Sequence, residues 1–307
     1  MGAQPGLAKS TQTGRQFRAV VCGPLFLDLV MGHLDRLPNP GEELWCDACE
    51  LVAGGAANQA TALSRLGLHV ELCSYVGADA AGQMVKELLA KQGVSDKRLV
   101  EIPRQSVTAA IGVGLDRAMV TCGTDSAPEL RGTAPDLLMA DLQALEANRD
   151  IVEQWRTEGT LVVGDVGWDE TGKWAEEDLS ALDITDVFVP NEDEACNYTR
   201  LKDPAAAGLL LAEECPLVVI TLGGQGALVC QEQVTPVPAA PAKFRDPTGA
   251  GDVFSAALSW ALLAGRTAPE ATWIANVAGA ISTESQGGAG APTEAELLER
   301  AQSVQSS

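Results

Sequence analysis

Short apolar runs alternate with longer stretches of helical spacing along most of the chain. Phe17–Gly23 opens the pattern as a β-branched run closed by glycine, which predicts a buried first strand. Residues 24–53 break the alternation. Pro38-Asn39-Pro40-Gly41 is a cluster of turn formers between short apolar stretches, and it predicts hairpin material rather than helix. Gly54-Gly55 then starts a helix that carries Ala56, Ala60 and Leu63 on one face and stops near Gly67. Val70–Val76 reads as the next strand, and Ala80–Gln92, closed by Gly93, as the next helix. Thr108–Gly114 and Ala118–Cys122 alternate like two strands about a turn at Asp116-Arg117. From Pro135 the spacing predicts one long helical stretch to about Trp155.

Leu161–Gly164, Val187–Val189 and Leu217–Thr221 are continuous apolar runs, the pattern of parallel strands covered on both faces. Gly223–Gly226 predicts a tight turn, Ala227–Cys230 a returning strand, and the last third helices over 250–265, 268–285 and 293–305. This alternation predicts an α/β fold: a doubly wound, mostly parallel sheet with helices on both faces. Two segments outside the alternation, 34–53 and 98–122, are expected to pair as a small β lid over the C-terminal edge of that sheet. Residues 17–307 then make one domain, behind a polar stretch, 1–16, that reads as a disordered tail.

Composition narrows the partners. A hydrophobic content of 46% is ample for the core of one large domain, while only 4% aromatics leaves Gly and Ala to bring backbones close. The formal net charge of −21 argues against a nucleic-acid or anionic-membrane surface. A polyanionic substrate would need a locally positive pocket made of backbone amides, a metal ion or a few arginines. No uncharged apolar run reaches the ~20 residues of a membrane span. Eight cysteines, mostly in or beside apolar runs, suit free thiols in a reducing, cytoplasmic location. Cys46-Asp47-Ala48-Cys49 lacks a second Cys or His pair, and reads as two incidental cysteines rather than a zinc or redox site.

Candidate chemistry sits in six places. Asp246-Pro247-Thr248-Gly249-Ala250-Gly251-Asp252 leads into the apolar Val253–Gly265. Small residues at a helix mouth let the amides of Gly249, Ala250 and Gly251 converge on an anion. Asp252 would repel that anion as a ligand, but fits a base for an attacking hydroxyl; the plain alternative is a first-turn Asp favoured by the helix dipole. Asp28 is either a carboxylate for vicinal hydroxyls or a turn residue. Gly54-Gly55, with Asn58, either admits a small polar ligand close to backbone or is an ordinary helix start. Asn191 and Glu194 share a face at a helix start, and either hold a hydrated Mg²⁺ or cap the helix. Thr221-Leu222-Gly223-Gly224-Gln225-Gly226 offers a nucleotide-phosphate turn. Asn276, on a helix of Ala, Val, Gly and Ile, needs a partner, either an adenine edge or neighbouring backbone.

In their order along one chain, these features resemble the ribokinase-like (PfkB-type) carbohydrate kinases, over about 17–300. The resemblance implies ATP-dependent phosphorylation of a sugar or sugar-like alcohol with Mg²⁺. It assigns Asp252 as base, Gly249–Gly251 as anion hole, and Asp28, Gly54, Gly55 and Asn58 to the acceptor. Asn191 and Glu194 would organise Mg²⁺ through water, Thr221, Gly223 and Gly226 would line the nucleotide, and Asn276 would lie near adenine. Asp246 and the Thr248 carbonyl match a possible K⁺ position, with further ligands expected near Thr283–Gly288. The lid is a dimer interface in many members, so a homodimer is a possible assembly.

The chain departs from the family in three places. Pro247 replaces the commoner Thr or Ser. Some twenty residues, including a core strand, are expected to be missing between about 145 and 160. Asp165-Val166-Gly167-Trp168 replaces Asp-x-Asn-x-Arg, with Trp168 or Trp174 as a substitute pocket wall. Two other readings stay open: a non-catalytic ligand-binding or regulatory protein that keeps the fold, and a nucleoside kinase, against which the few aromatics near Asp28 weigh.

Overall fold

A computed structural model describes residues 16–113, 116–167, 169, 171–246, 248–285 and 290–305. The tail expectation for 1–16 therefore falls outside the described residues except at Gln16, whose amide donates to the Gly67 carbonyl (3.1 Å).

The chain begins with β1 (Arg18–Cys22), β2 (Leu25–Leu34) and β3 (Cys49–Gly55), then α1 (Ala56–Arg65), β4 (His69–Gly77) and α2 (Ala80–Lys91). Next come β5 (Leu99–Ile102), β6 (Ser106–Val113), β7 (Asp116–Cys122) and β8 (Leu137–Asp141). Helices α3 (Leu142–Ala147) and α4 (Arg149–Thr157) precede β9 (Leu161–Asp165) and β10 (Val187–Phe188). They are followed by α5 (Glu192–Thr199), α6 (Pro204–Leu211), β11 (Val218–Thr221), β12 (Ala227–Cys230) and β13 (Val234–Val237). Helices α7 (Ala250–Leu263), α8 (Ala268–Ser282) and α9 (Glu294–Gln305) close the chain.

Among the described residues, the main sheet runs β13-β12-β11-β10-β9-β8-β1-β4-β5. It is parallel from β11 through to β5, with β12 and β13 added antiparallel at one edge. Side chains alternate between two cores. Ala19, Val21, Leu137 and Met139 pack toward the face covered by α1, α7 and α8, while Val20, Cys22, Leu138 and Ala140 pack toward the opposite face. Burial on both faces is why these strands are apolar throughout. Helix α7 is apolar all round and buried from Val253 to Ala261, so it is a core helix rather than a surface one.

Two expectations are corrected. The stretch from Pro135 is not one helix: Leu137–Asp141 is the strand β8, paired in parallel with both β1 and β9. No strand is therefore missing from the sheet at 145–160. Leu, Met and Ala favour helix in isolation, but a slot between two buried strands accepts any apolar run of that length. Helix starts only after Asp141, whose carboxylate accepts from the Ala144 N–H (2.6 Å) as its N-cap.

The smaller sheet, β3-β2-β6-β7, also differs in detail. Its first strand spans Leu25–Leu34, within the stretch 24–53 read as hairpin material but almost wholly ahead of the 34–53 lid segment, and much of 34–48 is loop. Leu99–Ile102, read as part of the lid, pairs instead with β4 in the main sheet. The turn expected at Asp116-Arg117 is the start of β7, and Gly114 and Leu115 lie outside the described residues.

Candidate active site

Strand order reverses about β1 and β8, since β1 leads one way to β4 and β5 while β8 leads the other way to β9 and β10. Crevices form at the C-terminal ends of strands flanking such a switch point. A cavity of about 460 Å³ opens there, lined by Cys22 at the end of β1 and Gly23 after it, by Asp141 at the end of β8 and by Asp165 at the end of β9. Gly55, Gln59, Tyr198 and Asp252 complete much of its wall.

Asp252 reaches this cavity because α7 packs against α1. Gly249 is the N-cap of α7, in the left-handed conformation (φ 73°), and no side chain caps the helix. Among the described residues no side-chain cap closes this start of α7, and a side chain at Gly251 would meet open space. One turn along, the Asp252 carboxylate accepts from the Asn58 side-chain amide (3.0 Å), 194 residues away in sequence.

The next residue of α1 makes a parallel contact. Gln59 is buried and donates from Nε2 to Asp165 Oδ2 (2.6 Å). Burial, then the nearby charges of Asp252 and Asp141, push the Asp165 carboxyl up to about 7. Burial likewise raises Asp141, with Asp125 adding to the effect and the Ala144 amide opposing it. Tyr198 is pushed up to about 12, mainly by burial, and stays a neutral phenol.

Asp28 lies within β2, in register with Val52 and beside Gly54 on the paired strand β3. A Cβ at Gly54 would collide with the Asp28 carboxylate, so glycine there is what permits the carboxylate to pack across the strand. Asp28 and Gly54 are together, and Gly55 links them to the cavity wall.

The second group gathers beside β11. Thr221 pairs with Asn191 as an isolated parallel bridge, and its N–H donates to the Pro190 carbonyl (3.0 Å). Asn191 and Glu194 form a reciprocal capping box at α5: Asn191 Oδ1 accepts from Glu194 N (2.9 Å), and Glu194 Oε2 accepts from Asn191 N (2.8 Å). Glu194 is half-buried and pushed up to about 7, chiefly by burial. Its charge also reaches Asp165, which ties this group to the cavity.

Gly226 has φ 98°, and a Cβ there would strike the backbone of Val237–Ala239. Asn276 holds that same segment, donating to the carbonyls of Pro238 (2.9 Å) and Val237 (3.3 Å). Of the two partners open to Asn276 in the sequence, the structure supplies neighbouring backbone. Gly223 and Gly224 stay exposed at the turn.

Asp246 accepts the Thr248 N–H (2.8 Å), and its own N–H donates to the Thr283 carbonyl (3.1 Å). Of the further ligands expected near 283–288, residues 286–288 lie outside the described residues, as do Pro247 and Trp168. Trp174 is buried behind the cavity wall, edge-on to Tyr198 at 5.2 Å. No group of three or more His, Cys, Asp or Glu among the described residues is arranged to hold a metal directly. No described helix is long and apolar enough to cross a membrane.

Sequence reasoning did not single out Gln59, Asp141 or Tyr198 as site residues. The signal for Asp141 was its place at the end of an apolar run, hidden once that run was read as helix.

Comparison with known proteins agrees with this fold. The profile of the pfkB family carbohydrate kinases matches residues 25–295. A ribokinase from Lactococcus lactis is 26% identical, covering 88% of this chain and 92% of its own. The bifunctional protein HldE of a Bradyrhizobium strain is 27% identical over 91% of this chain, which spans only 62% of that relative. A putative ribokinase from Agrobacterium tumefaciens superimposes with a TM-score of 0.84 at 20% identity, covering 95% of this chain and all of that one. Arabidopsis thaliana ribokinase, solved with ribose and ATP, gives 0.76 at 21% identity over 94% of this chain and 99% of its own. The profile match spans most of the chain and includes both the Asn58–Asp252 contact and the turn after β11: the chain belongs to the pfkB family of carbohydrate kinases.

Proposed function

We propose that the protein transfers the γ-phosphoryl group of ATP to a hydroxyl of a sugar or sugar-like alcohol bound in the cavity beside Asp252. The observation that carries this reading is the Asn58–Asp252 contact at the open N-terminus of α7. In one place it puts a carboxylate against a cavity and beside the first amides of a helix.

Asp252 takes the proton from the acceptor hydroxyl as its oxygen attacks phosphorus in line. The amides of Gly249, Ala250 and Gly251, with the dipole of α7, hold the charge that develops on the phosphoryl oxygens. Gly54, Gly55, Asn58 and Asp28 position the acceptor. Thr221, Gly223 and Gly226 shape the turn for the nucleotide, and Asn276 supports it by fixing the Val237–Pro238 backbone. One oxygen of Glu194 lies outside the capping box, which suits a hydrated Mg²⁺ held through water rather than a caged one. When bound, Mg²⁺ would neutralise phosphate charge. Asp246 and Thr248 are the residues a K⁺ ion would use. A cytoplasmic enzyme and a lid-to-lid homodimer complete the reading.

The test is acceptor-stimulated ADP release across ketoses, aldoses, nucleosides and sugar acids, with phosphorus NMR of the product. The reading expects a new phosphomonoester in step with ADP. Ligand-induced thermal stabilisation without ADP would favour a binding protein instead.

A further inference from the structure

Cys22 and Cys73 are register partners on the neighbouring parallel strands β1 and β4, the one place among the described strands where cysteine pairs with cysteine. Register partners present their side chains to the same face, and both free thiols are buried in the core on the side of Leu138 and Ala140. Adjacent strands lie about 4.8 Å apart, inside the ~4.4–6.8 Å between Cα atoms that a disulfide requires. The backbone beside the pair is pinned. The Gly23 N–H donates to the Cys73 carbonyl (3.3 Å), and the Ser74 hydroxyl donates to the Gly23 carbonyl (2.6 Å). The two sulfurs can therefore join by side-chain rotation, with the strands left in place.

In the reduced state both thiols donate to the buried Pro128 carbonyl, Cys73 at 3.7 Å and Cys22 at 4.0 Å. Pro128 belongs to the segment that leads from β7 to β8, and Asp125 of that segment lines the cavity together with Cys22. A disulfide carries no S–H, so oxidation strips both donors from that carbonyl at once. We infer that Cys22 and Cys73 form a modification site for a small hydroperoxide, closing to a disulfide that loosens the Pro128 anchor and weakens acceptor binding beside Asp125. The effect on the acceptor rests on the kinase reading above; the disulfide does not.

Access selects a small oxidant. Cys22 lines the cavity, yet Cys22 and Cys73 are only 2% and 3% exposed, which suits a peroxide and shuts out glutathione disulfide. The hydrogen bond from Cys22, aided by the charges of Arg98 and Arg131 against the effect of burial, draws the Cys73 thiol below its ordinary value. The Cys73 thiolate attacks one peroxide oxygen, the O–O bond breaks, and the departing hydroxide leaves as water with the proton Cys73 gave up. The Cys22 sulfur then attacks the sulfenic sulfur, an S–S bond forms, and the second oxygen leaves as water with the Cys22 proton. The two sulfurs lose two electrons and the peroxide gains them. In a reducing location the bond is transient, as a switch requires.

The experiment treats the whole reduced protein with hydrogen peroxide and maps its peptides without reduction. The expected result is a Cys22–Cys73 cross-linked peptide, lighter by the two thiol hydrogens and reopened by dithiothreitol. Glutathione disulfide should label the exposed Cys49 and Cys122 and leave the pair untouched. Amide hydrogen exchange over 123–130 should rise about tenfold in the cross-linked form. Its acceptor KM should rise about fivefold or more, with the KM for ATP unchanged. Cys73→Ser keeps a hydroxyl that can donate to Pro128, so it should match wild type before peroxide and show none of these changes after it. The inference is overturned if peroxide leaves the pair as thiols, carries either sulfur to a sulfinic acid without cross-linking, or if glutathione disulfide labels the pair as readily as Cys49. A cross-link that leaves exchange or the acceptor KM unchanged also overturns it. If no sugar releases ADP, the kinase reading falls, and the peptide map with the exchange measurement still upholds or overturns the site.

Discussion

The two halves of the cleft, one proposed for the acceptor and one for the nucleotide, are built on different principles. On the acceptor side, side chains from distant parts of the chain meet: Asn58 with Asp252 across 194 residues, and Gln59 with Asp165 across 106. On the nucleotide side, the shape is mostly local backbone: a turn from Thr221 to Gly226, a capping box within four residues, and a segment at Val237–Ala239 held from behind. Carboxyl groups crowd the first half. The second presents exposed glycines and a single half-buried glutamate. On the proposed reading, one half would recognise by fixed side chains, and the other by room and backbone conformation.

Substitutions that damage one half alone sharpen this contrast. Short of removing the base, the largest effect is expected from Gly54→Ala. Its methyl group would push the Asp28 carboxylate aside, lowering kcat/KM for the acceptor by about 100-fold with the KM for ATP little changed. Equal losses toward both substrates would mean the halves are not separable at Gly54.

Gly226→Ala should do the reverse. It forces a side chain into a left-handed position against the Val237–Ala239 backbone, a strain of about 1–3 kcal/mol, and should raise the KM for ATP about tenfold. Gly223→Ala has φ 54° but meets open space, so its cost should be near 1 kcal/mol. Steady-state kinetics on both variants tests the ranking, and a milder Gly226→Ala would contradict it.

How far each half could be read from the sequence follows from the same contrast. The turn at 221–226, the Asn191–Glu194 pair and the loop before Asp252 are local patterns, so residue spacing alone located them. The acceptor side needed tertiary knowledge. Asn58 and Asp252 were each candidates, but their contact depends on α1 packing against α7, which no local pattern encodes. Asp141 was lost through a competition of propensities: Leu137–Ala140 suits a helix in isolation, and only the slot between β1 and β9 makes it a strand. A strand edge at Asp141 would have placed it on the switch-point crevice at once. The lid boundaries slipped for a related reason, because β5 and β6 are close in sequence but belong to different sheets.

The smallest predicted effect is thermal and depends on pH. Asp165 holds its proton up to about 7 when folded, whereas an unfolded aspartate ionises near 4. Between those values the folded state binds more protons, so this group's contribution to stability falls as pH rises through that window. Asp165→Asn removes the penalty. Its Tm relative to wild type should therefore rise by roughly 2–4 °C between pH 5 and pH 8. A difference that stays flat, or falls, would mean that Asp165 is ionised in the folded protein at neutral pH.

In the proposed mechanism Asp252 removes the acceptor's proton at the mouth of α7. The most direct measurement is acceptor-dependent ADP release by Asp252→Asn, alongside calorimetric affinities for ATP and acceptor. The account predicts a fall in kcat of about 10²–10⁴-fold with both affinities retained. Turnover at the wild-type rate would contradict it.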